Sequence, residues 1–410
     1  MKTTDYDVLI IGGGLVGASL ACALSGQGLR MGIIEAVPFG QEAQPSYDDR
    51  VIALAQGTQR ILASMGVWHY MAAGVTPIHH IHVSDRGRFG FTHLDRQQEG
   101  VDALGYVAPA RVLGQALNQY LQAQAGIDFI TPAELDSFDI YDDYAEVRVR
   151  CDDDIRVFST RLVVAADGSD SLVRQQADIE VTEWAYGQTA IITNVTPQLA
   201  HNNIAYERFT DTGPLALLPM EDQRCALVWT VKDDQLDEVM ALSDEPFLQR
   251  LQDRFGYRLG EFQQVGARHA YPLSMRHAQE SVRPRLALIG NAVHTLHPLA
   301  GQGFNLGLRD VAALAEVLVD VIRSGGDVGD LMHLQDYEAW RAQDHKQVIA
   351  FTDGLLRLFT NPLASVALVR NVGMVGMDML PPLKRLLTRL TMGQSGRMSR
   401  LARGLGLGEK

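Results

Sequence analysis

"YDVLIIGGGLVGASLACALSGQGLRMGIIEA", residues 6–36, holds the pattern on which the fold turns. Val8 to Ile11 is a continuous apolar run of the kind that forms a strand buried on both faces, and small and apolar residues with helical character follow the glycines. Between them Gly12, Gly14 and Gly17 stand at GxGxxG spacing. Gly12 permits a tight turn, Gly14 lets a pyrophosphate approach the backbone, and Gly17 lets the helix pack on its strand. Ile33 and Ile34 belong to a second strand, and Glu35 ends it with a carboxylate that can accept both hydroxyls of an adenosine ribose. The same carboxylate would repel a 2′-phosphate, which favours FAD or NAD over NADP at this loop.

Working outward, "RLVVAADGSDSLVR" (161–174) repeats the theme of a buried strand ending in a turn, with Asp167 and Gly168 at the carboxyl end where open α/β sheets bind ligands. "RLALIGNAVHTLHPLAGQGFNLGLRD" (285–310) is a third case. Leu286 to Ile289 forms the strand, Gly290 and Asn291 end it, and Pro298, Gly301 and Gly303 lead into an apolar-spaced helix whose first N–H groups suit an anion. One dinucleotide held at both ends accounts for glycine loops nearly three hundred residues apart.

The rest of the chain is read more coarsely. "PARVLGQALNQYLQAQA" (109–125) predicts a helix with Arg111 near its start, and "YAEVRVR" and "IRVFS" predict an antiparallel meander. Short alternating runs in 75–107 and 179–275 predict one antiparallel sheet, a second domain. The discontinuous dinucleotide-binding domain then comprises 1–74, 108–178 and 276–360, with 361–410 as a helical, basic tail. His79, His80 and His82 alternate across two strand faces and lack a completing carboxylate or cysteine, so they read as structural. No metal site is expected. GxSxG, HExxH and P-loop lysine motifs do not occur.

The 410 residues are 46% hydrophobic and carry a net charge of −13, enough for a sizeable core and adverse to a nucleic-acid partner. Residues 381–410 are the exception, seven basic residues against one acid for a net +6, which leaves −19 for residues 1–380. There Leu383, Leu386, Leu387 and Leu390 follow helical spacing, with Lys384, Arg385 and Arg389 largely off the stripe. The expectation is a terminal helix either packed on the dinucleotide-binding domain or docked on an anionic membrane surface or on proteins there. Cys22, Cys151 and Cys225 are widely spaced and odd in number, which points to a reducing cytoplasm. Asp5, Asp7 and the triple glycine argue against a signal peptide, and no apolar run is long enough for a transmembrane helix.

Taken in order, GGGLVG with Glu35, DGSDSLVR from Asp167 and GNAVHTLHPLAGQGFNLG from Gly290 resemble the three motifs of the FAD-dependent aromatic hydroxylases, and "VSDRGRFGF", "ALGYV" and "YERFTDTGPLALLPM" resemble the ubiquinone-biosynthesis members among them. The resemblance implies the para-hydroxybenzoate hydroxylase fold: an α/β, Rossmann-like FAD domain with an antiparallel β-sheet substrate domain. It implies that Gly12, Gly14, Gly17 and Glu35, with Leu15, Val16 and Ala36 beside them, hold the ADP part of FAD. It further implies that Arg50, Arg111, Asp167 and Gly168 contact the cofactor, that Gly290 and Asn291 hold the ribityl chain, and that Pro298, Gly301, Gly303, Phe304 and Asn305 lie at the flavin. Asn291 stands where the wider family has Asp, although Asn is familiar in the quinone-pathway subgroup. His294 and His297 flank the loop, either to move a proton from the phenol or to shape the loop by hydrogen bonds.

The implied reaction uses NADH or NADPH as transient electron donor and O₂ as co-substrate to hydroxylate a polyprenylated methoxyphenol. With no second complete GxGxxG, the nicotinamide visits rather than occupies a domain. A flavin-dependent prenyl-chain reductase and a non-enzymatic prenyl-lipid carrier are the alternatives. Implied partners are other ubiquinone-biosynthesis proteins and the inner-membrane surface, with a homo-oligomer left open.

Overall fold

Residues 3–38, 50–297, 299–361, 363–394 and 396–409 are described by the computed structural model. The central path of its first sheet runs Val282–Arg283, Leu286–Leu288, Asp154–Ala165, Tyr6–Ile11, Met31–Ile34, Ile127–Ile130. Every neighbouring pair from Leu286–Leu288 onward is parallel. Parallel strands are covered on both faces, which is why they read as unbroken apolar runs. On one face Val8, Ile10, Ile33 and Val164 pack with the Leu15–Leu24, Ala110–Gln122 and Gln302–Arg323 helices. On the other, Leu9, Ile11, Val163 and Leu288 meet the meander strands Glu134–Ile140 and Ala145–Cys151.

The second sheet has the path His294–Thr295, His269–Ala278, Val181–Pro197, Cys225–Lys232, Gly213–Pro219, Ile204–Thr210, His80–Asp85, Phe91–Asp95. It is antiparallel except where Ile204–Thr210 runs parallel to His80–Asp85. Alternation reports which face a side chain takes and not the direction of the neighbouring strand, so that pair was not legible. Two expected assignments are also corrected. Thr76–Ile78 and Gly105–Pro109 leave this sheet for a three-stranded one with Val51–Ala55. His269–Ala278 runs through the boundary expected at 275/276, because its pairing with Val181–Pro197 continues to Ala278.

One face of the second sheet is covered by the Asp244–Phe255 helix, with Leu215, Leu217, Leu227 and Trp229 packed against Phe247, Leu251 and Phe255. The opposite face is turned to the first domain, for Phe209 packs with Leu299, Leu356 and Phe359.

The tail is not a separate unit. Leu401, Ala402 and Leu407 belong to the core of the first domain. The expected terminal helix forms as Pro381–Thr391, but it buries Lys384 and Thr388 while Leu383 and Leu386 stay 48% and 63% exposed. Lys384 is drawn inward by Asp378, 2.9 Å from its Nζ, and Leu387 alone of the stripe packs in the cluster of Leu94, Leu104 and Met392. Among the described residues no helix is long and apolar enough to cross a membrane.

Candidate functional site

The strands Leu286–Leu288, Asp154–Ala165 and Tyr6–Ile11 are adjacent and parallel, so the three turns that leave them meet at one edge of the sheet. Gly12 has φ +99°, and a Cβ there would lie 2.5 Å from the Ala166 carbonyl oxygen. At Gly17 a Cβ would lie 1.9 Å from the Gly12 oxygen, so the helix can start only this close to its own strand without a side chain. Gly14 is the extended N-cap, and Leu15 and Val16 are the half-buried first residues of the helix. The Glu35 carboxylate folds over this loop: Oε2 accepts the Gly13 N–H at 2.7 Å and Oε1 the Val37 N–H at 3.1 Å. Each oxygen keeps a second lone pair for ribose hydroxyls. Ala36 lies exposed beside it.

The neighbouring turn carries Asp167, whose Oδ2 accepts the Val173 N–H at 3.1 Å. Its Oδ1 is buried without a hydrogen-bond partner, and burial pushes the carboxyl above its usual range despite nearby N–H groups. Such an orphaned acceptor fits a ligand hydroxyl or N–H. Gly168 follows with φ +87°.

The third turn begins at Gly290, φ +60°, where a Cβ would press on Val16 Cγ1 at 3.0 Å. Gly307 would meet the Gly290 Cα at 3.2 Å. The two glycine loops therefore touch through glycine. Asn291 is exposed at the turn. Gly301, φ +61°, caps the 22-residue helix Gln302–Arg323 and would strike Ala53 Cβ at 2.7 Å if it carried one of its own. At Gly303, by contrast, an added Cβ meets no protein atom within 4 Å. Space opens in front of a helix N-terminus that carries about half a positive charge, a suitable place for an electron-rich ring edge.

Several expected site residues have other work. Asn305 is saturated: its Oδ1 accepts from Ala55 N and Thr58 Oγ1, and its Nδ2 donates to the oxygens of Ala53 and Gly301. It pins the loop to the Val51–Ala55 strand and has no side-chain group left for a cofactor; half-buried Phe304 precedes it. His294 is fully buried with Nε2 2.7 Å from Asp310 Oδ2, which ties the loop to the long helix, and its Nδ1 is buried without a hydrogen-bond partner. His297 is also buried, its Nδ1 accepting the Leu299 N–H while the Tyr186 ring stands edge-on at 5.3 Å. Burial pushes its imidazole down to about 4, a neutral ring at pH 7. The Arg50 guanidinium lies 5.3 Å from the centre of the Tyr271 ring, and its carbonyl accepts the Ala110 N–H at 2.7 Å, next to exposed Arg111. Pro298 lies outside the described residues.

Two features were missed. The first is the buried hub Asp310, which accepts from the Gly290 N–H, His294, His345 Nε2 and Arg341 Nε. The histidines and Asp310 are close enough to hold an ion, but the Arg341 guanidinium, 2.7 Å from Oδ1, already supplies the charge. Burial works against the carboxylate, yet these partners hold it well below the usual range, while burial pushes His345 down to about 4. An acid inside the apolar periodicity of 302–323 was the available signal. The second is Glu207. It shares a strand face with Ala205, packed on Ile78 and Val107, and with Phe209, packed on Leu299 of the loop. Among the described residues no hydrogen bond or ion pair engages its carboxyl, and burial pushes it up to about 8. An acid within "YERFT" on an otherwise apolar face was its signal.

Glu35, Asp167, the two glycine turns and the space before Gly303 fit a flavin dinucleotide along the sheet edge. A family profile described as FAD binding domain matches residues 5–352. The ubiquinone hydroxylase UbiL of Rhodospirillum rubrum is 41% identical over 387 residues, 94% of this chain and 89% of that protein. The 3-demethoxyubiquinol 3-hydroxylase of Escherichia coli is 32% identical over 398 residues, 96% of this chain and all of that one (100%). Among solved structures, p-nitrophenol 4-monooxygenase PnpA from Pseudomonas putida shares the fold with a TM-score of 0.80 at 18% identity, covering 97% of this chain and 100% of that one.

Proposed function

This chain belongs to the FAD binding domain family, among the ubiquinone-biosynthesis hydroxylases, and from that premise we propose that it hydroxylates a phenol bearing a polyprenyl tail and a methoxy group. It is an FAD-dependent aromatic monooxygenase. The observation that carries the reading is the convergence of three turns, from Gly12, Asp167 and Gly290, on adjacent parallel strands, with a helix start and open space at Gly303 beside them.

When bound, FAD supplies the redox chemistry, taking two electrons from NADH or NADPH and activating O₂. A ring C–H of the phenol becomes C–OH, and the second oxygen atom leaves as water. The chain holds and orients. Glu35 would receive the ribose hydroxyls, Asp167 Oδ1 a polar group of the cofactor, and the turn at Gly290 and Asn291 the ribityl chain. The Gln302–Arg323 helix start would stabilise negative charge on the ring edge nearest Gly303. The apolar face that carries Ala205, packed on Ile78 and Val107, and Phe209, packed on Leu299, would exclude water from the reacting ring. Glu207 projects from that face, where it would hydrogen-bond the phenol hydroxyl and accept its proton as the ring becomes electron-rich.

Isotopic oxygen tests the reading. Purified protein supplied with a polyprenyl methoxyphenol, NADH or NADPH and ¹⁸O₂ is expected to place one ¹⁸O in the product for each O₂ consumed. A product with a reduced prenyl C=C bond and no label would establish the reductase alternative. A strain lacking the protein, grown in air, is expected to accumulate the methoxylated polyprenylphenol.

A further inference from the structure

The Ala364–Met379 helix is turned inside out. Its inward face carries Asn371 and Asp378 with Ala367 and Met374, and these polar groups are engaged. Asn371 Nδ2 donates to Asp85 at 2.9 Å, Asn371 Oδ1 accepts the Gly90 N–H at 2.7 Å, and Asp378 accepts the His93 N–H at 3.0 Å. Arg370, at the edge of that face, donates from Nε to Asp85 at 2.8 Å and caps the carbonyls that end the preceding helix. Rotating the helix to hide its apolar side would strand these buried groups, so the arrangement is held in place.

The outward sector therefore shows Leu368, Val369, Val372 and Met379, which are 58%, 70%, 56% and 74% exposed, with no charged residue among them. The next helix, Pro381–Thr391, continues the surface with exposed Leu383 and Leu386. At 100° per residue, exposed Arg385 and Arg389 flank Leu386 on its outer side. Beside the first helix, the turn tied to Asn371 through Gly90 presents exposed Arg88 and Phe89. Among the described residues, nine of the twenty exposed large hydrophobic side chains fall within 358–386, so this is a patch and not the ordinary scatter of surface apolar groups.

We propose that the outward face of these two helices docks the protein on an anionic lipid bilayer, with both helices lying in the interface plane. An apolar sector flanked by arginines is the composition of an interfacial helix. Charge selects lipid over a second copy of the chain, because a two-fold pairing would set the same basic rim against itself. Residues 1–380 carry −19, so an anionic surface would repel most of the molecule and attract this side. The inference stands on the surface and does not need the hydroxylase reading, although a lipid-tailed substrate would give it a purpose.

The test uses the full-length, FAD-loaded protein sedimented with vesicles of phosphatidylglycerol and phosphatidylcholine, and with phosphatidylcholine alone, at low and high salt. Binding to the anionic vesicles is expected to be about tenfold or more the stronger, and to weaken in salt. Val369→Asp with Val372→Asp should cut it by at least that factor with flavin content and helicity unchanged. Arg385→Glu with Arg389→Glu should remove the anionic preference. Should the aspartates unfold the chain, the serine pair at the same positions replaces them. Equal binding by wild type and variants overturns the proposal, as does a dimer, seen by analytical ultracentrifugation, that the Val369 and Val372 substitutions dissolve while the wild type ignores vesicles.

Discussion

Replacing Glu35 by arginine would set a guanidinium against two backbone N–H groups that now donate to its carboxylate, and would remove the acceptor for ribose hydroxyls. Glu35→Arg is expected to purify with less flavin, read from its visible absorbance; full occupancy would show that Glu35 does not hold the cofactor. Glu207→Gln probes the opposite end of the site. The folded Glu207 carboxyl titrates near 8 and the unfolded one near 4.5, so the unfolded state loses its proton first and the native chain loses stability as pH rises between them. Wild type should therefore fall behind Glu207→Gln in melting temperature across that window, and a constant difference would contradict the raised carboxyl. In turnover, Glu207→Gln should lower kcat more than it raises KM, and should flatten the alkaline rise of kcat. Neither Glu207 nor Asp310 was visible as a site residue in the sequence. A lone acid in an apolar run looks the same whether it faces a cavity, an ion cluster or water, and only the folded strand or helix tells which.

At the level of the element, two glycines at one helix start separate fold from function. Gly303→Val should leave the apoprotein folded, because the new side chain enters empty space and no positive φ is strained, while flavin content and turnover collapse. Gly301→Val should instead damage the fold, since φ +61° and the Ala53 contact both resist a side chain. Comparing thermal melts of the two apoproteins checks the contrast. Asp310 ties this helix to the Gly290 turn and to Arg341 and His345 of the Leu331–Thr360 helix. Asp310→Asn removes one of the two carboxylates that face the buried Arg341 guanidinium and leaves Asp344, 2.6 Å from it, so a loss of about 1–3 kcal/mol is expected in denaturant unfolding. The glycine spacing, the acid after the second strand and the strand-ending turns were readable in advance because each answers a local steric demand. The leucine stripe of 383–390 left its direction open for the opposite reason: periodicity marks a face, and whether that face turns inward was settled by Asp378 and Lys384.

For the molecule as a whole, acid is the expected weakness. Burial pushes His82, His297 and His345 each down to about 4, against about 6.5 when unfolded. Below pH about 6.5 the unfolded chain takes up protons that the native chain refuses, so stability present at neutral pH is lost as pH falls towards 4. Each histidine contributes a slope of up to about 1.4 kcal/mol per pH unit, and denaturant midpoints measured from neutral to mildly acid pH should show the decline. The two large sheets were legible because alternating and continuous apolar runs differ. Strand direction within the second sheet was not, since pairing partners lie far apart in the chain. That same distance has a consequence during synthesis. The flavin edge joins the first strand of the chain to a turn at Gly290 and a helix ending at Arg323. A nascent chain interrupted before that helix emerges from the ribosome has half a cradle, so cofactor loading becomes a late event that distinguishes finished chains from abandoned ones.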